Sequence, residues 1–143
     1  MWDYPSPFTH AIATGSGDVD DLGQVNNAAY IRWCENIAWA HSGILGLSVD
    51  DYVAMQRAMA IHHAEYDYLQ ACFPGDELQA ATWITACDLR LSMERRFQIM
   101  NTKTSETVFR GVWQLVCVNL ENNKPIRIPT RFIDVYRDAI VIT

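Results

Sequence analysis

The chain has 143 residues, half of them hydrophobic and 20% charged, which predicts one domain over residues 1–143 with a substantial core and excludes disorder. It holds no run of about 18 apolar residues, and its first ten residues have neither a basic segment nor an apolar stretch. We therefore expect no membrane span and no secretory leader, and we expect a cytoplasmic location. The net charge of −6 argues against nucleic acid as a partner.

Charge is unevenly distributed along the chain. Residues 1–71 hold nine acids and two bases, whereas residues 72–143 hold eight acids and nine bases. An anionic ligand therefore suits the second half better, although dispersed solubilising charge would give the same pattern. The four cysteines are widely spaced in apolar stretches without a C-x-x-C pair, which is typical of reduced core residues and predicts no metal site.

The first predicted elements are a short strand near residues 8–14, a turn-rich stretch over 15–23, and a long helix. Asn26 and Asn27 are favourable residues for the start of a helix. The run that follows is apolar on most sides, which is typical of a buried helix. Its narrow polar stripe consists of Arg32, Glu35, Asn36 and His41.

A second, shorter helix and a series of strands follow. Gly43 or Gly46 can end the long helix, and the spacing of Ser48 and Asp51 resembles a capping box that starts a helix running to about Arg57. The hydrophobic period then changes to two, which predicts strands. These strands are expected over residues 59–70, 77–88, 92–101 and 106–120.

The end of the chain is less regular. Residues 121–124 predict a turn, residues 125–129 an extended piece, and residues 131–143 fit either a short helix or an edge strand. The whole order predicts the α+β class, with a strongly curved antiparallel sheet of about five strands wrapped around the long helix. Because tryptophan and valine would remain on the outer face of the sheet, oligomerisation is expected.

Three carboxylates, Asp18, Asp20 and Asp21, lie a few residues before the long helix. The first N–H groups of a helix have no internal partner and can hold a carbonyl oxygen while negative charge builds on it. A carboxylate beside such a carbonyl could attack it or deprotonate water, and Gly23 would allow a close backbone approach. An acidic turn that only leads into a helix cap would contain the same residues. The spacing lacks two ligands of a calcium loop.

The segment from Asp20 to Glu35 resembles the D-x-x-G-H-V-N-N-x-x-Y-x-x-W/F-x-E signature of hotdog-fold acyl-CoA thioesterases of the 4-hydroxybenzoyl-CoA thioesterase type. Residues 68–78 and 123–129 resemble two further motifs of that family, so the likeness covers roughly residues 8–133. It implies a hotdog fold, hydrolysis of an acyl-CoA or acyl-carrier-protein thioester, and no cofactor apart from the coenzyme A of the substrate. It also implies a homo-oligomer, either a dimer or a dimer of dimers.

The resemblance implies a role for each matching residue. Asp20 corresponds to the catalytic aspartate, a nucleophile or a general base, and the backbone N–H of Asn27 to the group that polarises the thioester carbonyl. Gln24 stands where many relatives have histidine, so a histidine-based mechanism is excluded and the aspartate mechanism is not affected. Arg90 and Lys124 would bind coenzyme A phosphates from a neighbouring subunit. The implied substrate-binding or coenzyme-A-binding residues are Gly23, Asn26, Tyr30, Arg90, Ser92 and Lys124.

Two other functions fit the same fold. A hotdog hydratase or dehydratase would need a histidine–acid pair, for which only His63 is placed, and a non-catalytic module would bind an acyl thioester without turnover. Among the remaining polar residues, Glu35 is expected to have a structural partner such as Arg32 or a strand N–H. Arg95 and Arg96 are adjacent in a strand, so only one of them can face a given ligand.

Overall fold

The computed structural model describes residues 1–141, and residues 142–143, the end of the segment left open between helix and strand, lie outside them. Its elements are a strand, two helices, four strands and a last helix, with a short 3₁₀ turn at Ser16–Asp18. The predicted order of elements is confirmed. Their bounds are β1 Phe8–Ile12, α1 Asn27–Leu45, α2 Val49–Met55, β2 Arg57–Tyr68, β3 Leu78–Cys87, β4 Ser92–Asn101, β5 Glu106–Asn119 and α3 Thr130–Arg137.

The five strands form one antiparallel sheet in the order β1-β3-β4-β5-β2. The register shifts once within each of the pairs β2–β5, β3–β4 and β4–β5, and such bulges bend strands and increase their twist. The long helix α1 packs against β3 and β1. The predicted α+β architecture, one long helix on a curved five-stranded antiparallel sheet, is confirmed. Strands β1 and β2 are the two edges of this sheet.

Helix α1 has well-defined ends. The side chain of Asn26 accepts a hydrogen bond from the Ala29 N–H at 2.9 Å, and Gly46 ends the helix in the left-handed conformation at φ 112°. Its buried positions recur in pairs every four residues, so one face of the helix is covered within the protomer. On the other face Ile44 is 76% exposed. The prediction that His41 belongs to the polar stripe is wrong, because its ring is buried.

Both faces of the sheet are partly covered by other segments. On the helix side, α2 and α3 close one end of the core, where Tyr52 stacks on Phe132 at 4.6 Å. On the outer side, the N-terminal residues cover Trp83, whose indole N–H donates to the Pro5 carbonyl at 3.0 Å. Tyr4 packs edge-on against the same indole. The chain therefore shields part of the outer face itself, which the sequence did not predict.

The segment after β5 is extended as predicted, and of the two alternatives for its continuation a short helix forms. The Ile126 N–H donates to the carbonyl of Cys117 and the Ile128 N–H to that of Arg90 before α3 begins. All four cysteines are free, and three of them are buried as predicted: Cys34, Cys72 and Cys117. Over residues 1–141, no helix is both long and apolar enough to cross a membrane.

Candidate active site

The acidic segment before α1 folds into a tight hairpin-like loop. Val19 and Val25 face each other in an antiparallel bridge, and the Asp20 N–H donates to the Gln24 carbonyl at 2.7 Å. The tip is closed by the Gly23 N–H, which donates to the Asp20 carbonyl at 3.1 Å. Gly23 has φ +79°, a left-handed conformation that a glycine adopts without strain. The loop therefore holds Asp20 opposite Gln24, which lies three residues before the helix begins at Asn27.

The carboxylate of Asp20 is oriented by its own loop. Its Oδ1 accepts hydrogen bonds from the N–H groups of Leu22 at 2.9 Å and Gln24 at 3.0 Å. Its Oδ2 accepts none from any residue in the described part of the chain. The side chain is exposed at the surface of the protomer. One carboxylate oxygen is thus anchored and the other is available for chemistry or for a ligand.

The first turn of α1 offers an unused hydrogen-bond donor. Asn27 is the first helical residue, and its N–H has no acceptor within residues 1–141. The neighbouring side chain of Asn26 is occupied in capping the helix, so it does not compete for this donor. The Tyr68 hydroxyl donates to the Asn27 carbonyl at 3.2 Å and fixes this turn against β2. A free N–H at the positive end of a 19-residue helix is suited to hold a carbonyl oxygen.

Asp18, a second acid of the loop, has only structural partners. Asp18 accepts hydrogen bonds from the Gly15 N–H and from Arg32 Nη2, both at 2.8 Å. These hydrogen bonds hold the pKa of the Asp18 carboxyl below its ordinary value, and the bond from the Gly15 N–H has the largest effect. Asp18 therefore ties the loop to α1. Of the two partners expected for Glu35, Arg32 pairs with Asp18 instead, and no strand N–H within residues 1–141 donates to the Glu35 carboxylate.

Tyr30, one of the residues implied to bind substrate, lies in the core. Its ring stacks on Phe109 at 5.2 Å, and burial, reinforced by the neighbouring Cys72 thiol, raises the pKa of its phenol. The phenol therefore remains protonated. In the protomer this tyrosine holds the first turns of α1 against the sheet.

The basic residues implied to bind coenzyme A lie at the opposite end of the protomer. The start of α1 lies beside the segment that leads into β3, where the Val25 N–H donates to the Cys72 carbonyl at 2.8 Å. Ser92 begins β4 at the other end, and a strand of ten residues is about 30 Å long. Arg90 and Lys124 are exposed near that end. One protomer therefore does not bring them to Asp20.

The loop that carries Arg90 and Ser92 is organised by one carboxylate. Asp88 Oδ1 accepts from the N–H groups of Arg90, Leu91 and Ser92, and Asp88 Oδ2 accepts from the Ser92 hydroxyl at 2.9 Å. These hydrogen bonds hold the pKa of Asp88 well below its ordinary value, and the bond from the Ser92 N–H has the largest effect. The Ser92 hydroxyl is thus engaged in holding the loop.

A cavity of about 340 Å³ lies between α1, the sheet and the two short helices. It begins at Glu35, eight residues or about 12 Å along α1 from Asn27, and it contains neither Asp20 nor the helix start. Trp39 on α1 and Ile61 on the edge strand β2 line it and are 41% and 44% exposed. The cavity therefore starts about two turns along α1 from the end of the helix that the acidic loop precedes.

A buried cation faces this cavity. Arg95 Nη1 donates to His41 Nδ1 at 2.9 Å and to Thr82 Oγ1 at 3.2 Å. Sequence reasoning missed this group, although a signal was present: Arg95 shares the parity of Met93 and Phe97, the apolar side of β4. The period of the strand alone would have placed it in the core.

A long helix on a curved five-stranded antiparallel sheet is the architecture of the hotdog thioesterases. Comparison with protein families supports this assignment over most of the chain. The chain belongs to the thioesterase-like superfamily, whose family model matches residues 14–136. The predicted family and the predicted class of enzyme are confirmed. The sequence matches none of the curated proteins.

Solved structures show the same fold. A 1,4-dihydroxy-2-naphthoyl-CoA thioesterase from Synechocystis superposes with a TM-score of 0.83 at 19% identity, over 93% of this chain and 97% of its own. The 12:0-ACP thioesterase from Umbellularia californica superposes with a TM-score of 0.84 at 17% identity, and the match covers 96% of this chain and 55% of that chain. A Staphylococcus aureus protein solved in complex with CoA superposes with a TM-score of 0.82 at 15% identity, and the match covers 96% of this chain and 89% of that chain.

Proposed function

We propose that the protein hydrolyses the thioester of an acyl-CoA, or of an acyl carrier protein, to a free acid and a thiol. The observation that carries the proposal is the Asp20 carboxylate, fixed through Oδ1 in the loop that leads directly into a helix start with a free N–H. The names of the structural neighbours, which act on CoA or ACP thioesters or bind CoA, support the same substrate class.

The chemistry follows from these two groups. The Asn27 N–H donates to the thioester carbonyl oxygen and stabilises the charge that develops there. Asp20 Oδ2 then bonds to the carbonyl carbon while the C–S bond breaks and the thiolate leaves, and water hydrolyses the resulting anhydride. Alternatively, the same oxygen takes a proton from water while the water oxygen attacks the carbon; the C–S bond then breaks, and the thiolate that leaves takes up the proton. In both routes the products are one acid and one thiol.

Gln24 contributes through its backbone. Its N–H donates to Asp20 Oδ1 and its carbonyl accepts from the Asp20 N–H. A glutamine side chain does not exchange a proton near neutral pH. The proposed reaction therefore needs no histidine at this position. The hydratase alternative has less support, since His63 pairs with Glu65 at 3.2 Å on the exposed edge strand and not at the helix start.

The proposed working unit is a homo-oligomer. Strand β2 is a 12-residue edge strand next to the open side of the cavity, and exposed edge strands pair readily with another chain. Pairing of two copies would bring Arg90 and Lys124 of the partner subunit within reach of the coenzyme A phosphates while Asp20 acts on the thioester. We propose no cofactor and no metal for this reaction.

A panel of acyl-CoA and acyl-carrier-protein thioesters with short, long and aromatic acyl groups tests the proposal. We expect stoichiometric release of free thiol and free acid from at least one substrate. Formation or hydration of a carbon–carbon double bond without thiol release would favour the hydratase instead. Binding of every substrate without any product would leave a non-catalytic module and contradict the proposal.

A further inference from the structure

The guanidinium of Arg95 is a buried charge without a counter-charge. Its side chain is 2% exposed, and none of the ion pairs among residues 1–141 includes it. Its two acceptors, His41 Nδ1 and Thr82 Oγ1, both bond to Nη1. Neither Nε nor Nη2 has an acceptor in the described part of the chain. Neither nitrogen is among the fully buried side-chain atoms without a partner, a group that within residues 1–141 holds only Thr14 Oγ1, so both donors open to the cavity that Arg95 lines. Since a cation in a largely buried side chain is costly unless it is paired, these free donors point to a ligand in that cavity.

The neighbouring groups cannot supply the missing negative charge. An arginine only donates, so His41 accepts through an unprotonated Nδ1 and is neutral. Burial, reinforced by the charge of Arg95, lowers the pKa of His41 to about 4. Burial raises the pKa of the Tyr52 phenol, which therefore also stays neutral. Glu35, the acid that lines the same cavity, is exposed and forms no ion pair with Arg95.

Three hydroxyl groups in the same cavity leave one donor free. Ser42 Oγ and the Tyr136 hydroxyl lie 2.9 Å apart, and the Tyr136 and Tyr52 hydroxyls also bond to each other. Three O–H groups joined by two hydrogen bonds have one proton left over. This proton has no other acceptor among residues 1–141. The polar end of the cavity thus combines a cation with a spare hydroxyl donor.

The rest of the cavity suits a hydrocarbon chain. Met93, Trp113 and Leu115 form buried walls, and the volume of about 340 Å³ lies in the range of small-molecule pockets. An apolar passage that ends in donors without acceptors matches a chain with an anionic terminus. A methyl-terminated chain would leave the donors of Arg95 unpaired, whereas a carboxylate can accept from two of them at once.

We propose that the acyl group ends in a carboxylate that Arg95 binds, so that the substrate is an ω-carboxyacyl thioester. This inference rests on the proposed thioester hydrolysis and names its substrate class. The carboxylate supplies the charge that the cavity lacks, and the free hydroxyl of the Ser42, Tyr52 and Tyr136 group donates to its other oxygen.

Pairs of acyl-CoA substrates of equal chain length, one ending in a carboxylate and one in a methyl group, test this proposal by thiol release. We expect kcat/KM to favour the carboxylate member at one or more lengths, and Arg95→Met to reduce that preference by roughly 10- to 100-fold. Arg96→Met is the matched control, because Arg96 lies on the opposite face of β4 and pairs with Glu94. In the Arg96→Met variant, the ratio of kcat/KM for the carboxylate substrate to kcat/KM for the methyl substrate should equal that of the wild type.

A second measurement does not depend on turnover. Free dicarboxylic acids should raise the melting temperature of the wild type more than monocarboxylic acids of the same length, and Arg95→Met should abolish that difference. If Arg95→Met does not fold, Arg95→Lys replaces it, since lysine keeps the charge and loses the two-point contact. We expect its preference to fall as well.

The two hypotheses fail in different ways. Equal turnover of both substrates by the wild type and by Arg95→Met, with no added stabilisation by dicarboxylic acids, would overturn the role of Arg95 and leave hydrolysis established. Absence of thiol release from all substrates, with dicarboxylic acids still stabilising the wild type through Arg95, would instead overturn the proposed reaction and support the carboxylate site.

Discussion

Among single residues, the proposed reaction depends most on a backbone group, the N–H of Asn27. Asn27→Pro removes the N–H, and proline is well tolerated at the first position of a helix. The preceding residue already has φ −74° and ψ 155°, which suits a residue before proline. We expect kcat to fall by roughly 100- to 1,000-fold, as for loss of one oxyanion donor, with the melting temperature nearly unchanged.

The matched control is Asn27→Ala, which keeps the N–H and removes the side chain. Steady-state thiol release should remain close to that of the wild type. Equal losses in the alanine and proline variants would show that the side chain, and not the N–H, is needed, and would contradict the assigned role.

Asp88 gives a prediction about stability and pH. Its carboxylate accepts three backbone N–H groups, and its pKa in the folded state lies below its ordinary value. Such a group stabilises the fold above its unfolded pKa, and the stabilisation is lost as pH falls through the folded pKa. We expect Asp88→Ala to lower the free energy of unfolding by about 1 kcal/mol at pH 7, a modest value because the loop is exposed.

Urea unfolding at several pH values measures this effect. The difference between wild type and Asp88→Ala should shrink as pH falls below about 4. A difference that stays constant from pH 7 to pH 3 would mean that the charge of Asp88 does not hold the loop.

At the scale of elements, the edge strand β2 decides the assembly. Ile61 is 44% exposed on this edge beside the cavity, so a charge there should disfavour pairing of two copies. We expect wild type to sediment as a dimer or a dimer of dimers, and Ile61→Lys to shift the mass toward the monomer and to lose activity. The Ile61→Val variant should keep both the wild-type mass and the wild-type activity. A monomeric wild type with full activity would contradict the proposed working unit.

Local signals were sufficient to predict most elements. The capping box of Ser48 and Asp51 forms as predicted, Gly46 and not Gly43 ends α1, and alternation placed four strands within about two residues. The error at His41 has a clear physical cause. A histidine was assigned to the solvent side because it is polar, whereas its partner Arg95 lies 54 residues away in sequence. A tertiary contact of this kind leaves no mark in the local pattern.

At the scale of the whole molecule, the candidate site is divided between two ends of the protomer. The sequence identified the acidic loop and helix start because they are contiguous, and the structure shows how Asp20 is held there. Arg90 and Lys124 were implied by resemblance alone, and they lie far from that loop in one protomer. The buried cation was missed because its neighbours come from helices and strands that are distant in sequence.

In the proposed reaction the Asp20 carboxylate carries out the hydrolysis of the thioester. Asp20→Asn removes the charge but keeps an oxygen that accepts from Leu22 and Gln24, so the loop should remain intact. Asp21→Asn is the control, since Asp21 is an exposed acid of the same loop. The deciding measurement is the rate of thiol release from the best acyl thioester. We predict a loss of at least about 100-fold for Asp20→Asn and none for Asp21→Asn, and turnover near the wild-type rate by a folded Asp20→Asn protein would contradict the account.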